Sequence, residues 1–216
     1  MSKTEKQYIV VEGPIGVGKT SLARRLAESF GSELLLEDAS SNPFLERFYR
    51  NPKQAAFPTQ LFFLFQRAQQ MQELNQGDMF SPVRVADFLM EKDRLFAGLT
   101  LDKDEVDLYE QVYEKLAIKA PKPDLVIYLQ APADILKQRV INRGVGHEQQ
   151  INTEYLIQLV DAYAKFFHDY QETPLLIVNA TEIDLVNCDE DYQQLLRRIE
   201  DVKGGRHYFN PLPIAI

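Results

Sequence analysis

Gly13-Pro14-Ile15-Gly16-Val17-Gly18-Lys19-Thr20 is a complete G-x-x-x-x-G-K-[ST] pattern, and its flanks decide what it means. Before it, Tyr8-Ile9-Val10-Val11 is apolar at every position, as a strand buried on both faces is. After it, Leu22, Leu26 and Phe30 recur every four residues, the spacing of one helix face. Strand, glycine-rich turn and helix in that order predict a phosphate loop. The glycines let backbone N–H groups close around phosphates, the Lys19 ammonium reaches the β and γ oxygens, and the Thr20 hydroxyl ligates Mg2+. Gly13 to Thr20, with Ser21, are therefore the expected contacts to a nucleoside triphosphate, and Mg2+ is expected to arrive with it.

Short apolar runs at residues 8 to 11, 33 to 36, 83 to 86, 125 to 129 and 175 to 178 alternate with helical patterns. Those patterns cover 20 to 30, 43 to 50, 58 to 76, 88 to 98, 104 to 118, 132 to 143, 153 to 170 and 189 to 202. The alternation predicts an α/β domain over residues 1 to 203, with a five-stranded parallel sheet and helices on both faces. Breakers such as Asn75-Gln76-Gly77-Asp78 and Pro121-Lys122-Pro123-Asp124 fall between the elements. A tail, 204 to 216, is apolar but carries Pro211 and Pro213; it packs across the body or stays disordered.

Whole-chain composition narrows the partners. A net charge of -8 over 216 residues opposes a broad nucleic-acid or anionic-membrane surface, leaving a local basic pocket for a small phosphate compound. No apolar stretch approaches the roughly 20 residues that span a bilayer. Cys188 is the only cysteine, and Met1 to Lys6 lacks the apolar core of a signal peptide, so a reducing, cytoplasmic compartment is expected. His147, His168 and His207 have no carboxylate or cysteine cluster at ligand spacing, which leaves Mg2+ as the one expected metal, with Thr20 and Asp87 as its protein contacts.

Further residues carry candidate chemistry. Asp87 ends the run Val83-Arg84-Val85-Ala86, where ligands gather in open α/β sheets; it is either a catalytic base or the N-cap of the helix that follows. Glu37 ends the second run in the same way, to accept a substrate hydroxyl or to solvate a loop. Gln60 and Arg67 stand seven residues apart on one helix face with Phe63 and Leu64 between them; the group suits the edge and face of a flat heterocycle, or is a polar solvent stripe with Gln66, Gln69 and Gln70. Arg139 and Arg143 lie four apart before Gly144-Val145-Gly146-His147-Glu148 and can reach one anion together from a mobile lid, about residues 143 to 152, unless they are plain surface charges.

In order and spacing these residues resemble the deoxynucleoside kinases, over about residues 7 to 200. The likeness rests on the phosphate loop; on Glu37 with Asn42-Pro43-Phe44-Leu45 and Phe48-Tyr49; on Phe57 and Gln60 through Arg67; on Ala86-Asp87 through Phe96-Ala97; and on Arg139, Arg143-Gly144, Glu148 and Tyr155. The spacing from Asp87 to Phe96 is similar to that of the bacterial purine-deoxynucleoside branch. The resemblance implies an ATP-dependent kinase acting on the 5'-hydroxyl of a deoxyribonucleoside, deoxyadenosine or deoxyguanosine. It implies Asp87 as the base, Glu37 as a second holder of that hydroxyl, and Tyr49 with Glu148 on the 3'-hydroxyl. Gln60, Arg67 and Asp93 would read the nucleobase, with Lys19, Arg139 and Arg143 stabilising the transferred phosphoryl group. A homodimer through the helices at 58 to 76 and 104 to 118 and inhibition by end-product triphosphates are implied in the same way. Departures are Asp38 in place of a frequent proline, Phe88 in place of an arginine, and Val145 in place of a lid arginine, leaving Lys92 or Arg94 to replace the charge missing at Phe88. A nucleoside monophosphate kinase such as thymidylate kinase would need a further fixed cation, and a non-catalytic nucleotide-binding module would need no acceptor pocket.

Overall fold

The computed structural model describes residues 6 to 76, 84 to 116, 119 to 146 and 148 to 211. Expectations for Met1 to Glu5, the Gly77-Asp78 turn, Val83, residues 117 and 118, His147 and the tail from residue 212 lie outside the described residues.

The strands are β1 (Tyr8–Glu12), β2 (Glu33–Leu35), β3 (Arg84–Ala86), β4 (Leu125–Gln130), β5 (Leu175–Asn179) and β6 (Arg206–Phe209). They form one sheet in the order β2-β3-β1-β4-β5-β6, with every pair parallel. Around it lie α1 (Lys19–Phe30), α2 (Leu45–Arg50), α3 (Pro52–Gln76), α4 (Lys92–Thr100), α5 (Lys103–Leu116), α6 (Ala133–Arg143), α7 (Thr153–Asp169) and α8 (Asp189–Asp201). Because side chains alternate along a strand, Ile9 and Val11 enter one core layer with Leu22, Leu26, Leu136, Leu195 and Ile199. Tyr8 and Val10 enter the opposite layer with Tyr128, Leu159, Tyr163 and Phe167. β1 is thus covered on both faces, which explains its unbroken apolar sequence. A third cluster ties Leu64 and Met71 of α3 to Phe88 and Tyr109.

Three sequence expectations need correction. The sheet has six strands rather than five, because Arg206-His207-Tyr208-Phe209 adds an edge strand to β5. Its residues are half-buried or exposed, so it lacks the apolar run that marks the inner strands. The helix expected from Pro58 begins at Pro52, where the ring occupies the first turn and no N–H is lost; Pro58 sits inside it. The helix expected at 88 to 98 is α4, displaced to 92 to 100, because the Leu89 N–H donates to Glu12 Oε2 at 2.8 Å instead of joining a helix.

β6 protects the β5 edge, and Phe209 packs against the first core layer. A chain ending at Lys203 is expected to lose about 2–3 kcal/mol from that apolar burial, roughly 4–12 °C in Tm for a domain of this size, and to self-associate through β5. Thermal unfolding with light scattering checks this; an unchanged Tm would show that residues 1 to 203 stand alone.

Candidate active site

β1 pairs with β3 on one side and β4 on the other, so the chain turns outward in opposite directions at its carboxyl end. That crevice is where open α/β sheets hold ligands. The loop leaving β1 runs so close to its neighbours that a Cβ on Gly13 (φ 148°) would sit 2.3 Å from the Leu129 carbonyl oxygen. A Cβ on Gly16 (φ 84°) would sit 2.9 Å from the Leu136 oxygen. Gly18, left-handed at φ 102°, opens α1 with no side-chain cap, so the first N–H groups of that helix face the loop. Lys19 Nζ lies over the loop, donating to the carbonyls of Gly13 at 2.8 Å and Pro14 at 3.2 Å. Burial lowers the pKa of this ammonium, and the positive charge of Lys92 lowers it further.

Asp87 follows β3 directly and is buried. Its Oδ2 accepts from the Thr20 hydroxyl at 2.5 Å and its Oδ1 from the Glu37 N–H at 2.8 Å. The N-cap alternative fails: α4 starts at Lys92 with Glu91 as its cap residue, five positions into the helix once expected. Asp87 therefore joins the phosphate loop to the loop after β2, and it lines a cavity shared with Lys19, Thr20 and Glu37.

Glu37 faces that cavity as the centre of an ion cluster. Arg67 of α3 bridges Glu37 and Asp93, while Lys92 Nζ lies 3.2 Å from Glu37 Oε2 and 3.7 Å from Glu12 Oε2. Burial raises the Glu37 carboxyl pKa, but Arg67 and Lys92 outweigh it and hold the group down at about 2. Glu12 and Asp93 have no exposed surface, and Lys92 and Arg67 have almost none. Arg67 and Gln60 are thus walls of a cavity and no solvent stripe; Asp93 stands behind Arg67 rather than lining the space. Gln66 and Gln70 instead hold the loop after β2, donating to the carbonyls of Asp38 at 3.2 Å and Leu36 at 2.8 Å. Where proline was expected, Asp38 fixes that loop by capping the short 3-10 turn Ala39–Ser41. Arg94 is turned away, paired with Glu110 and lying 4.4 Å from the Tyr113 ring centre, so of these two cations Lys92 is the one at the site.

Phe63, with Arg67 over its ring at 5.2 Å, and Phe96, edge-on to Tyr163 at 6.1 Å, supply aromatic faces beside Gln60. Tyr49, Arg143 and Glu148 line the other end, with Arg143 paired to Glu148 across the turn after α6. Burial pushes the Tyr49 hydroxyl pKa well up, so it stays a neutral hydrogen-bonding group. Arg139 departs from expectation. Its Nη2 donates to the carbonyls of Ala180 at 2.7 Å and Thr181 at 3.3 Å, in a separate groove beside Gly16, Gly18 and Ser21. The two arginines share a helix face, yet only Arg143 reaches the cavity.

Two residues at the site were not foreseen: Thr59 in the cavity wall and Glu12 behind it. Glu12 accepts from Gly13 N at 2.9 Å, Tyr163 OH at 2.9 Å and Leu89 N at 2.8 Å. An acidic residue ending an otherwise apolar run was the available signal. Thr59 Oγ1 lines the cavity, buried and without a hydrogen-bond partner among the described residues, and no spacing rule singles out a threonine; the Tyr155 hydroxyl, of a residue already named beside Glu148 in the sequence, is likewise buried and unpartnered there. No group of three or more His, Cys, Asp or Glu suited to a metal ion occurs among the described residues, and no described helix is long and apolar enough to cross a membrane.

A family model described as deoxynucleoside kinase matches residues 9–203. A deoxyguanosine kinase of Bacillus subtilis (strain 168) is 33% identical over 204 residues, 90% of this chain and 97% of that protein. A deoxyadenosine kinase of Lactobacillus acidophilus is 29% identical over 210 residues, 90% of this chain and 95% of that protein. The fold superposes on a deoxyadenosine kinase from M. mycoides, solved with dCMP and a flexible dCDP, with a TM-score of 0.79 at 21% identity, over 90% of this chain and 100% of that one.

The ion cluster makes a stability prediction. Arg67→Met leaves Asp93 buried without a cation and is expected to cost about 3–5 kcal/mol, whereas Arg67→Met with Asp93→Ala recovers most of that loss. Urea unfolding of both variants measures it; a single variant within about 1 kcal/mol of wild type would show that Asp93 is not charged in the folded chain.

Proposed function

The chain belongs to the deoxynucleoside kinase family, and on that premise we propose that it prefers a purine deoxynucleoside, deoxyguanosine or deoxyadenosine, as acceptor. It is a kinase that transfers the γ-phosphoryl group of ATP to the 5'-hydroxyl of a deoxyribonucleoside. The observation that carries the reading of the site is the position of Asp87, between the Thr20 hydroxyl and the Glu37 backbone, in a cavity that also holds Lys19.

Phosphoryl transfer asks the protein mostly for positioning and charge. In this proposal the acceptor lies with its base between Phe63 and Phe96, its polar edge on Gln60 and Arg67, and its 3'-hydroxyl on Tyr49 and Glu148. Asp87 accepts the proton of the 5'-hydroxyl at a carboxylate oxygen, Glu37 holds that hydroxyl, and Lys19 and Arg143 offset charge on the phosphates. Arg139 belongs instead to the groove on the other side of the loop, where the nucleoside of the donor fits. The paired oxygens of Thr20 and Asp87 are hard ligands too few to hold a metal alone, a donor set that fits Mg2+ carried by phosphates. When bound, that ion supplies neutralisation of the phosphate charge. A homodimer through α3 and α5 is part of the proposal, supported by the exposed Phe65 and Leu108 on those helices. A cytoplasmic location fits the lone Cys188.

Asp87→Asn keeps an oxygen for the Glu37 N–H and an amide that donates to the Thr20 hydroxyl, so the fold should hold while proton acceptance is lost. A fall in kcat of about 10²- to 10⁴-fold with Tm preserved is expected; unchanged kcat would assign Asp87 a structural role. Base choice is tested in a coupled assay with all four deoxynucleosides. Wild type should favour deoxyguanosine or deoxyadenosine, and Arg67→Met with Asp93→Ala should relax selection against thymidine, because the first change removes the charge from the base edge and the second leaves no unpaired carboxylate behind it. A wild type that already prefers thymidine would overturn the purine assignment.

A further inference from the structure

Lysine is rarely buried, because taking an ammonium out of water costs several kcal/mol unless carboxylates compensate it. Lys92 is 2% exposed at the first turn of α4, lines the acceptor cavity and lies between two carboxylates, Glu37 at 3.2 Å and Glu12 at 3.7 Å. Each carboxylate belongs to a different half of the site. Glu12 ends β1 and accepts the Gly13 N–H, the first amide of the phosphate loop. Glu37 sits on the acceptor side, its own N–H on Asp87.

Glu37 already has Arg67, so a second cation is not needed to neutralise it. Arg67, however, is shared with Asp93. Around the reacting end, the carboxylates of Glu12, Glu37, Asp87 and Asp93 face the cations Arg67, Lys92 and Lys19. Without Lys92 the excess of negative charge doubles, beside the place where a polyphosphate must approach. The carboxylates of Glu37 and Asp87 would then also repel each other with less screening.

We propose that Lys92 is a positioning residue for phosphoryl transfer, tying the phosphate loop to the acceptor carboxylate through Glu12 and Glu37 and supplying the charge absent at Phe88. The inference rests on the kinase reading above and deepens it. Lys92 acts through Glu37 and Glu12 and aligns the acceptor hydroxyl with the loop, so its charge matters for turnover more than for donor affinity.

Lys92→Met keeps the aliphatic stem and removes the ammonium, while Lys92→Arg keeps the charge. Steady-state kinetics with the preferred deoxynucleoside, at fixed and varied ATP, is run beside thermal unfolding. Expected is a fall in kcat of about 10- to 100-fold in Lys92→Met with the KM for ATP within about threefold of wild type, and recovery to within about fivefold in Lys92→Arg. Should Lys92→Met fold poorly, Lys92→Met with Glu12→Gln removes the ion pair without leaving Glu12 charged and alone, and must show the same loss of kcat. Folded variants that turn over within threefold of wild type, whatever their Tm, overturn the inference, as does a Lys92→Arg variant no better than Lys92→Met. A wild type inactive on every deoxynucleoside overturns the kinase reading and this inference with it; an active wild type with unimpaired Lys92→Met overturns the inference alone.

Discussion

A carboxylate shut away from water at the end of the central strand is a constraint on everything around it. Glu12 is compensated only by what the rest of the chain brings to it: an amide of the phosphate loop, an amide of the turn before α4, a tyrosine hydroxyl from α7 and an ammonium from α4. The partners come from three parts of the sequence, at Gly13, at Leu89 with Lys92 and at Tyr163, and each loses a strong hydrogen bond or ion pair if it moves. An unmade bond to a buried charge costs more than an ordinary one, so the geometry of the three segments is fixed together. The first amide of the phosphate loop is held by this carboxylate.

A second layer of charge builds on the first. Glu37, Arg67, Asp93 and Lys92 form a continuous set of pairs that runs from the cavity wall into the core between α3 and α4. Replacing such a set by apolar groups is often no loss to stability, whereas breaking it is costly. In the proposed function its value lies in placing a polar, preorganised wall against aromatic faces, where hydrogen bonds to a heterocycle carry the greatest weight. The same arrangement keeps Glu37 ionised at any physiological pH.

The inner fold was legible in the sequence because buried parallel strands have a distinctive composition. β1, β4 and β5 are almost wholly apolar, and the glycine pattern after β1 admits few alternatives. β6 was not, since an edge strand covered on one side looks like any mixed segment. The start of α4 was hidden for a different reason: a long-range bond from Leu89 to Glu12 overrides a local helical pattern. For the site, residue types and spacing singled out Asp87, Glu37, Gln60 and Arg67, the family resemblance added Tyr49 and Glu148, and all six line one cavity. They did not foretell that Arg139 turns to the carbonyls of Ala180 and Thr181, because a shared helix face fixes where two side chains begin and not where their long arms end. Nor did they separate Lys92 from Arg94, two residues apart, one buried and the other on Glu110.

The parallel order of the sheet also governs how the chain is made. Tyr8 of β1 aligns with Arg84, and Ile9 with Leu125, while β5 waits for Arg206 to Phe209. Nearly every sheet contact is therefore between segments far apart along the chain, the condition under which folding is slow and loop closure dominates the barrier. During synthesis β1 and the phosphate loop gain a neighbouring strand on one side only when Arg84 has followed, and on the other only when Leu125 has. The protein must spend its elongation time as helices with an unfinished sheet, and its vulnerability to aggregation belongs to that interval.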